Sequence, residues 1–131
     1  MNGNIFDGKK AQQVASLLND IRAESNREIG ELKAKEFNSI VAGGAIKVHM
    51  NGDYVVTQID LDPDYIATHM LDQVSKLLAS AFNNCRFNIE REMDEITDRY
   101  SRKTQEALMS ELNKSSDSSD GDPEDGEGLS D

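Results

Sequence analysis

Between Ile46 and Leu61 the chain alternates with period two. Ile46, Val48 and Met50 form one run, and Val55, Thr57, Ile59 and Leu61 form a second after an Asn51-Gly52 pair. Alternation of this kind predicts two antiparallel strands, each with one buried face. Asn-Gly predicts a type I′ turn, with positive φ at both central residues. Asp62-Pro63 closes the second run, because proline has no backbone donor with which to continue a ladder. Upstream, Phe37 to Val41 predicts a further strand whose alternation is blurred by Asn38-Ser39, and Gly43-Gly44 joins it to the run at Ile46. Three strands in this order make an antiparallel meander with two open edges.

The flanks have helical period. From about Lys10 to Lys35, Ala11, Val14, Leu18, Ile21, Ile29 and Leu32 recur every three or four residues, interrupted at Ser25. They fall in a narrow arc, which predicts that the C-terminal half of this helix packs against one other helix. After Pro63, a short turn through Asp64 to Ala67 and a cap at Thr68 are expected to start a second helix. On a helical wheel centred at Ile89, the residues Leu71, Leu78, Phe82, Cys85, Met93, Ile96, Tyr100 and Ala107 fall on one narrow seam. Met70, Val74, Leu77 and Ala81 widen the apolar arc before residue 86. The first half is therefore expected in a core, and the second as an arm that frays near Met109 and Leu112. The alternating charges Arg91, Glu95, Asp98 and Arg102 suit a solvated face.

Taken together, Lys9-Lys10-Ala11-Gln12-Gln13 at the start of the first helix, Gly43-Gly44, Ile46-Lys47-Val48, Asn51-Gly52, Ile59-Asp60-Leu61-Asp62-Pro63 and Ala81-Phe82-Asn83 resemble the YbaB/EbfC family of bacterial nucleoid-associated proteins. The resemblance covers roughly residues 9 to 110 and lies in the order of the pieces. It implies an α+β fold: an α-β-β-β-α protomer with a long C-terminal helix that dimerises and binds double-stranded DNA without an enzymatic step. Localisation is then cytoplasmic, at the nucleoid.

The charge balance is acidic. The net charge is −11, the opposite of the basic balance expected for a nucleic-acid binder. Residues 115–131 contain seven acidic and no basic residues, which leaves −4 for residues 1–114. With Leu129 as its only large apolar residue, this tail is expected to be disordered. The expected organisation is a flexible N-terminus over 1–8, a domain over 9–114 and an acidic tail over 115–131. Met1 to Gly8 has no apolar leader run, and no stretch reaches the length of a membrane span, which agrees with a cytoplasmic expectation.

Chemistry is sparse. Asp60, Asp62 and Asp64 have the spacing of the first calcium-loop ligands, but Tyr65 stands where glycine is needed, Leu71 where glutamate is needed, and Pro63 lies inside the loop. His49 and His69 have no accompanying nucleophile motif or ligand set. Cys85, the only cysteine, lies in the apolar seam and is expected to pack as a small hydrophobe. The expectation is no enzyme, no metal and no cofactor.

Binding remains. The candidate DNA-contacting residues are Lys9, Lys10, Arg22, Arg27, Arg99, Arg102 and Lys103. Among them Lys9-Lys10 and Arg102-Lys103 are local basic clusters that a two-fold dimer presents twice. Phe87 lies on the side of its helix opposite the seam and is assigned to the dimer interface. A different class of function is a dimeric module that engages a protein partner through its acidic tail or helices. A third combines the two, with the tail competing with DNA for the basic clusters.

Overall fold

No proline interrupts the chain between Gly8 and Ala34, and this segment forms helix α1 in the computed structural model, which describes residues 8–120, with side chains through residue 114. Three strands follow: β1 (Glu36–Val41), β2 (Ile46–Asn51) and β3 (Val56–Leu61). A short helix α2 (Pro63–Thr68) and a long helix α3 (Leu71–Asp120) complete the described chain. The expected α+β order and the antiparallel meander β1-β2-β3 are both present. Two compact units divide the chain, one formed by Met1–Ser25 with Asp98–Asp131 and the other by Asn26–Thr97, and α1 and α3 each contribute to both.

In the sheet unit, Val41 pairs with Ile46, Ser39 with Val48 and Phe37 with Met50, so these residues share one face. Leu61, Ile59 and Val56 continue that face on β3, opposite Ile46, Val48 and Met50. Helix α3 covers only part of it. The Cys85 thiol lies 3.8 Å from the Phe37 carbonyl oxygen and 3.7 Å from that of Val48, and Asn84 Nδ2 donates to the Ser39 hydroxyl at 3.3 Å. Beneath this cover Ile46, Val48, Cys85 and Ile89 are wholly buried. Beyond it, Val56, Ile59 and Leu61 stay 38–43% exposed. The expected alternation therefore holds on β2, whereas β3 has the alternation without the burial.

The hairpin after β2 also departs from expectation. It is not a two-residue type I′ turn, and the positive φ falls on Tyr54, at 65°. Asn51 organises the loop instead, its Oδ1 accepting from the amides of Asp53 at 2.9 Å and Val55 at 3.1 Å, as asparagine does in turns. The longer loop is followed by a bulge: His49 pairs with Gln58 but Met50 with Val56, which leaves Thr57 as the extra residue on β3. Between β1 and β2, left-handed φ at Ala42, Gly43 and Gly44 reverses the chain.

Asp62, not Thr68, supplies a helix cap here, accepting from the Asp64 amide at 3.0 Å at the start of α2. Thr68 ends α2, and extended backbone at His69 separates it from α3. Leu71, placed in the seam by its spacing, is 78% exposed. Further along, α3 continues past Met109 and Leu112 to Asp120, because the first backbone breaker after Leu71 is Gly121 and main-chain bonding does not require an apolar seam. Residues 115–120 belong to this helix, while 121–131 and the disorder expected of them lie outside the described residues.

Candidate nucleic-acid interface

The two long helices carry all seven candidate basic residues. In the unit formed by Met1–Ser25 and Asp98–Asp131, the first part of α1 lies antiparallel to the last part of α3. Lys10 Nζ meets Glu111 Oε1 at 3.3 Å, and Lys103 Nζ meets Glu24 Oε1 at 3.4 Å. Val14 and Tyr100 are buried within this helix pair. In the other unit Leu32 is buried near the end of α1, Lys35 just beyond that helix pairs with Glu92 of α3 at 2.9 Å, and the hairpin after β2 also packs there through Gly52, a neighbour that the expectation of a single partner helix did not include.

The candidate residues separate by unit and by partner. Lys9 and Arg102 are exposed, and neither has an ion pair among the described residues. Lys10 is held by Glu111, which also receives Lys114 at 3.6 Å. Lys10, ahead of Lys114, keeps the Glu111 carboxyl below its usual range. Arg22 Nη1 donates to Asn19 Oδ1 at 3.3 Å. Tyr100 gathers two cations near its ring. Lys103 Nζ lies 4.8 Å from the centroid, and the Arg99 guanidinium lies 5.4 Å from it, both within cation–π reach. Six of the seven candidates therefore lie in the helix-pair unit. Arg27 is in the sheet unit, where it pairs with Glu31 at 2.9 Å. Phe87, also in the sheet unit, is 62% exposed.

Sequence spacing brought forward Lys9-Lys10 and Arg102-Lys103 as clusters. It did not reveal that Glu24 and Glu111 sit among them, since those carboxylates are 79 and 101 residues from their lysine partners. Tyr100 as a platform for two cations was also missed, although Arg99 and Lys103 flank it at i−1 and i+3 on one helix.

A three-stranded meander flanked in the chain by two long helices, with cationic side chains on the helix pair, describes an α+β binding scaffold. The profile of the YbaB/EbfC DNA-binding family matches residues 8–114, and the chain belongs to that family. It is 29% identical over 73 residues to a nucleoid-associated protein of Acinetobacter baumannii, covering 56% of this chain and 66% of that relative. The chain thus spans just under two thirds of the length of such relatives. A nucleoid-associated protein of Ligilactobacillus salivarius is 24% identical over 95 residues, covering 72% of this chain and 91% of its own. In fold, an uncharacterized protein of Helicobacter pylori matches with a TM-score of 0.58 at 19% identity, covering 72% of this chain and 96% of its own.

Proposed function

We propose that this chain is a nucleoid-associated DNA-binding protein that acts without catalysis, as a homodimer, through contacts to backbone phosphates that are mainly independent of sequence. The observation that carries the proposal is the gathering of Lys9, Lys10, Arg22, Arg99, Arg102 and Lys103 in one helical unit of a chain that belongs to a DNA-binding family. Lysine and arginine on the outside of a helix pair position a protein on a duplex. Reading bases requires an element fitted to a groove with side chains aimed at base edges, and no motif of that kind is present in the sequence.

The dimer is supported by the sheet unit. The face that α3 leaves open on β3 is apolar, through Val56, Ile59 and Leu61, and it continues a buried core. Phe87 adds a large exposed aromatic. Apolar surface next to an unpaired strand edge is stabilised when a second copy covers it. Localisation at the nucleoid and in the cytoplasm follows from the same reading.

The test is titration of a fluorescent duplex of random sequence at low salt, compared with R102E/K103E. Binding that falls with rising salt and is lost in the double variant is expected. Wild-type protein that is dimeric and folded yet shows no duplex binding at low salt would overturn the DNA reading.

A further inference from the structure

On the solvent-facing side of the sheet, one side chain reaches all three strands. His49 on β2 has Nδ1 at 2.8 Å from Glu36 Oε2 on β1 and Nε2 at 2.9 Å from Asp60 Oδ2 on β3. A neutral imidazole has one N–H and one lone pair, so with a carboxylate at each nitrogen one lone pair would face an anion. Only the imidazolium donates to both. The remaining charged neighbour on this face is Lys47, paired in register with Asp60, and the directly paired Asn38 and Gln58 are neutral.

The position of the contact gives it weight. β3 is an edge strand with no partner beyond it among the described residues, and most of its residues are exposed. Its ladder to β2 is irregular between His49 and Met50, opposite the extra Thr57. There a bulge disrupts backbone pairing, and side-chain ties contribute more of what holds the strand. Thr57 Oγ1 donates to the His49 carbonyl at 3.3 Å, and Gln58 Nε2 donates to the other oxygen of Asp60 at 2.6 Å, which aims that carboxylate at the ring.

We propose that Glu36, His49 and Asp60 form a proton-dependent clasp that holds β3 to the sheet, so that the order of β3 and of the apolar row it presents is set by pH. The imidazolium is favoured chiefly by the hydrogen bond to Asp60, with Glu36 adding to it against a desolvation penalty, and the His49 pKa is raised. The Asp60 carboxyl is lowered, first by Gln58 and then by His49. A raised histidine contributes stability that is complete below its unfolded value and lost as pH rises through its folded value. A lowered aspartate contributes stability present above its unfolded value and lost as pH falls through its folded value. The clasp therefore acts between these limits and opens on the alkaline side when His49 loses its proton.

The experiment uses the full chain. Ring-proton NMR titration follows His49, and hydrogen-exchange protection factors, corrected for intrinsic exchange, follow β3 and the α3 amides near Cys85 and Ile89. A His49 midpoint above the ordinary imidazole value is expected. β3 protection should fall several-fold as pH passes through that midpoint, while the α3 amides change little. Both E36Q and D60N should lower the midpoint, H49Q should remove the pH step in β3, and H69Q should retain it. A midpoint at or below the ordinary value, or a step that survives in H49Q, overturns the proposal. Should H49Q fail to fold, the midpoints of E36Q and D60N decide, and no downward movement in either overturns it. None of these readouts involves DNA, so the proposal fails or stands separately from the proposed function.

Discussion

Gly52 lies against the end of α1, where its amide donates to the Lys35 carbonyl at 3.0 Å. A Cβ built there would come 2.6 Å from the Leu32 carbonyl carbon and 2.9 Å from Lys33 Cα, both of them backbone atoms that cannot swing aside. The residue is a glycine because of this close approach, since its φ is not positive.

Replacing Gly52 with alanine should therefore destabilise the protein by about 1–3 kcal/mol, through overpacking that only a backbone shift can relieve. Gly44 sits at φ 99° with open space around its Cβ position. Alanine there should cost less, about 1–2 kcal/mol from backbone strain alone. Urea unfolding of both variants checks the order.

Asn51→Ala should loosen the hairpin, because two amides lose a shared acceptor. Loss of one such bond typically costs about 1 kcal/mol. Tyr54→Gly removes the side chain from a left-handed backbone position and should be tolerated. Thermal melts separate the two, with a lower midpoint expected only for Asn51→Ala.

Cys85 should be inert in the folded protein. Burial pushes its thiol above the usual range, and no part of the residue is accessible, the opposite of a reactive thiolate's surroundings. Ellman's reagent is expected to react only as fast as the protein unfolds, so the rate should rise with urea and match the unfolding rate measured by circular dichroism.

For the dimer, light scattering of wild type, Phe87→Ala and Ile59→Asp is the direct measurement. A dimeric mass is expected for wild type, with both variants shifted toward monomer. Helical content should be largely retained, because both side chains are exposed in the single chain. A wild-type monomer at micromolar concentration contradicts the assembly.

DNA affinity should rise when anionic competitors are removed. Glu111→Gln takes away a carboxylate shared by Lys10 and Lys114, and Glu24→Gln takes away the one that meets Lys103. Truncation after Asp120 leaves α3 whole and removes five acidic residues per chain. Each change should raise affinity at low salt and matter less as salt rises, because the screening length falls from about 30 Å at about 0.01 M to about 3 Å at about 1 M. Four phosphate contacts per chain, from Lys9, Lys10, Arg102 and Lys103, limit the log-log salt slope of a dimer to about −7. Unchanged affinity in all three variants would separate these lysines from phosphate binding.

Much of the architecture was legible from local period. Alternation at Ile46, Val48 and Met50 specified a half-buried strand, and the apolar seam through Cys85, Ile89, Ile96 and Tyr100 specified the buried side of α3. In both cases the side-chain repeat is imposed by the backbone of the element itself. Period assigns a residue to a face but does not say whether anything covers that face. Ile59, Leu61 and Leu71 therefore share the spacing of core residues and remain exposed, and for the two on β3 the reason is that α3 covers β1 and β2 and stops short of that strand. Packing alone settles what depends on residues far apart in the chain: the close approach of Gly52 to Leu32, the carboxylates of Glu24 and Glu111 among the lysines, and the meeting of Glu36, His49 and Asp60. Such contacts are set by how elements come together and by a one-residue bulge at Thr57, and neither leaves a periodic trace in the sequence.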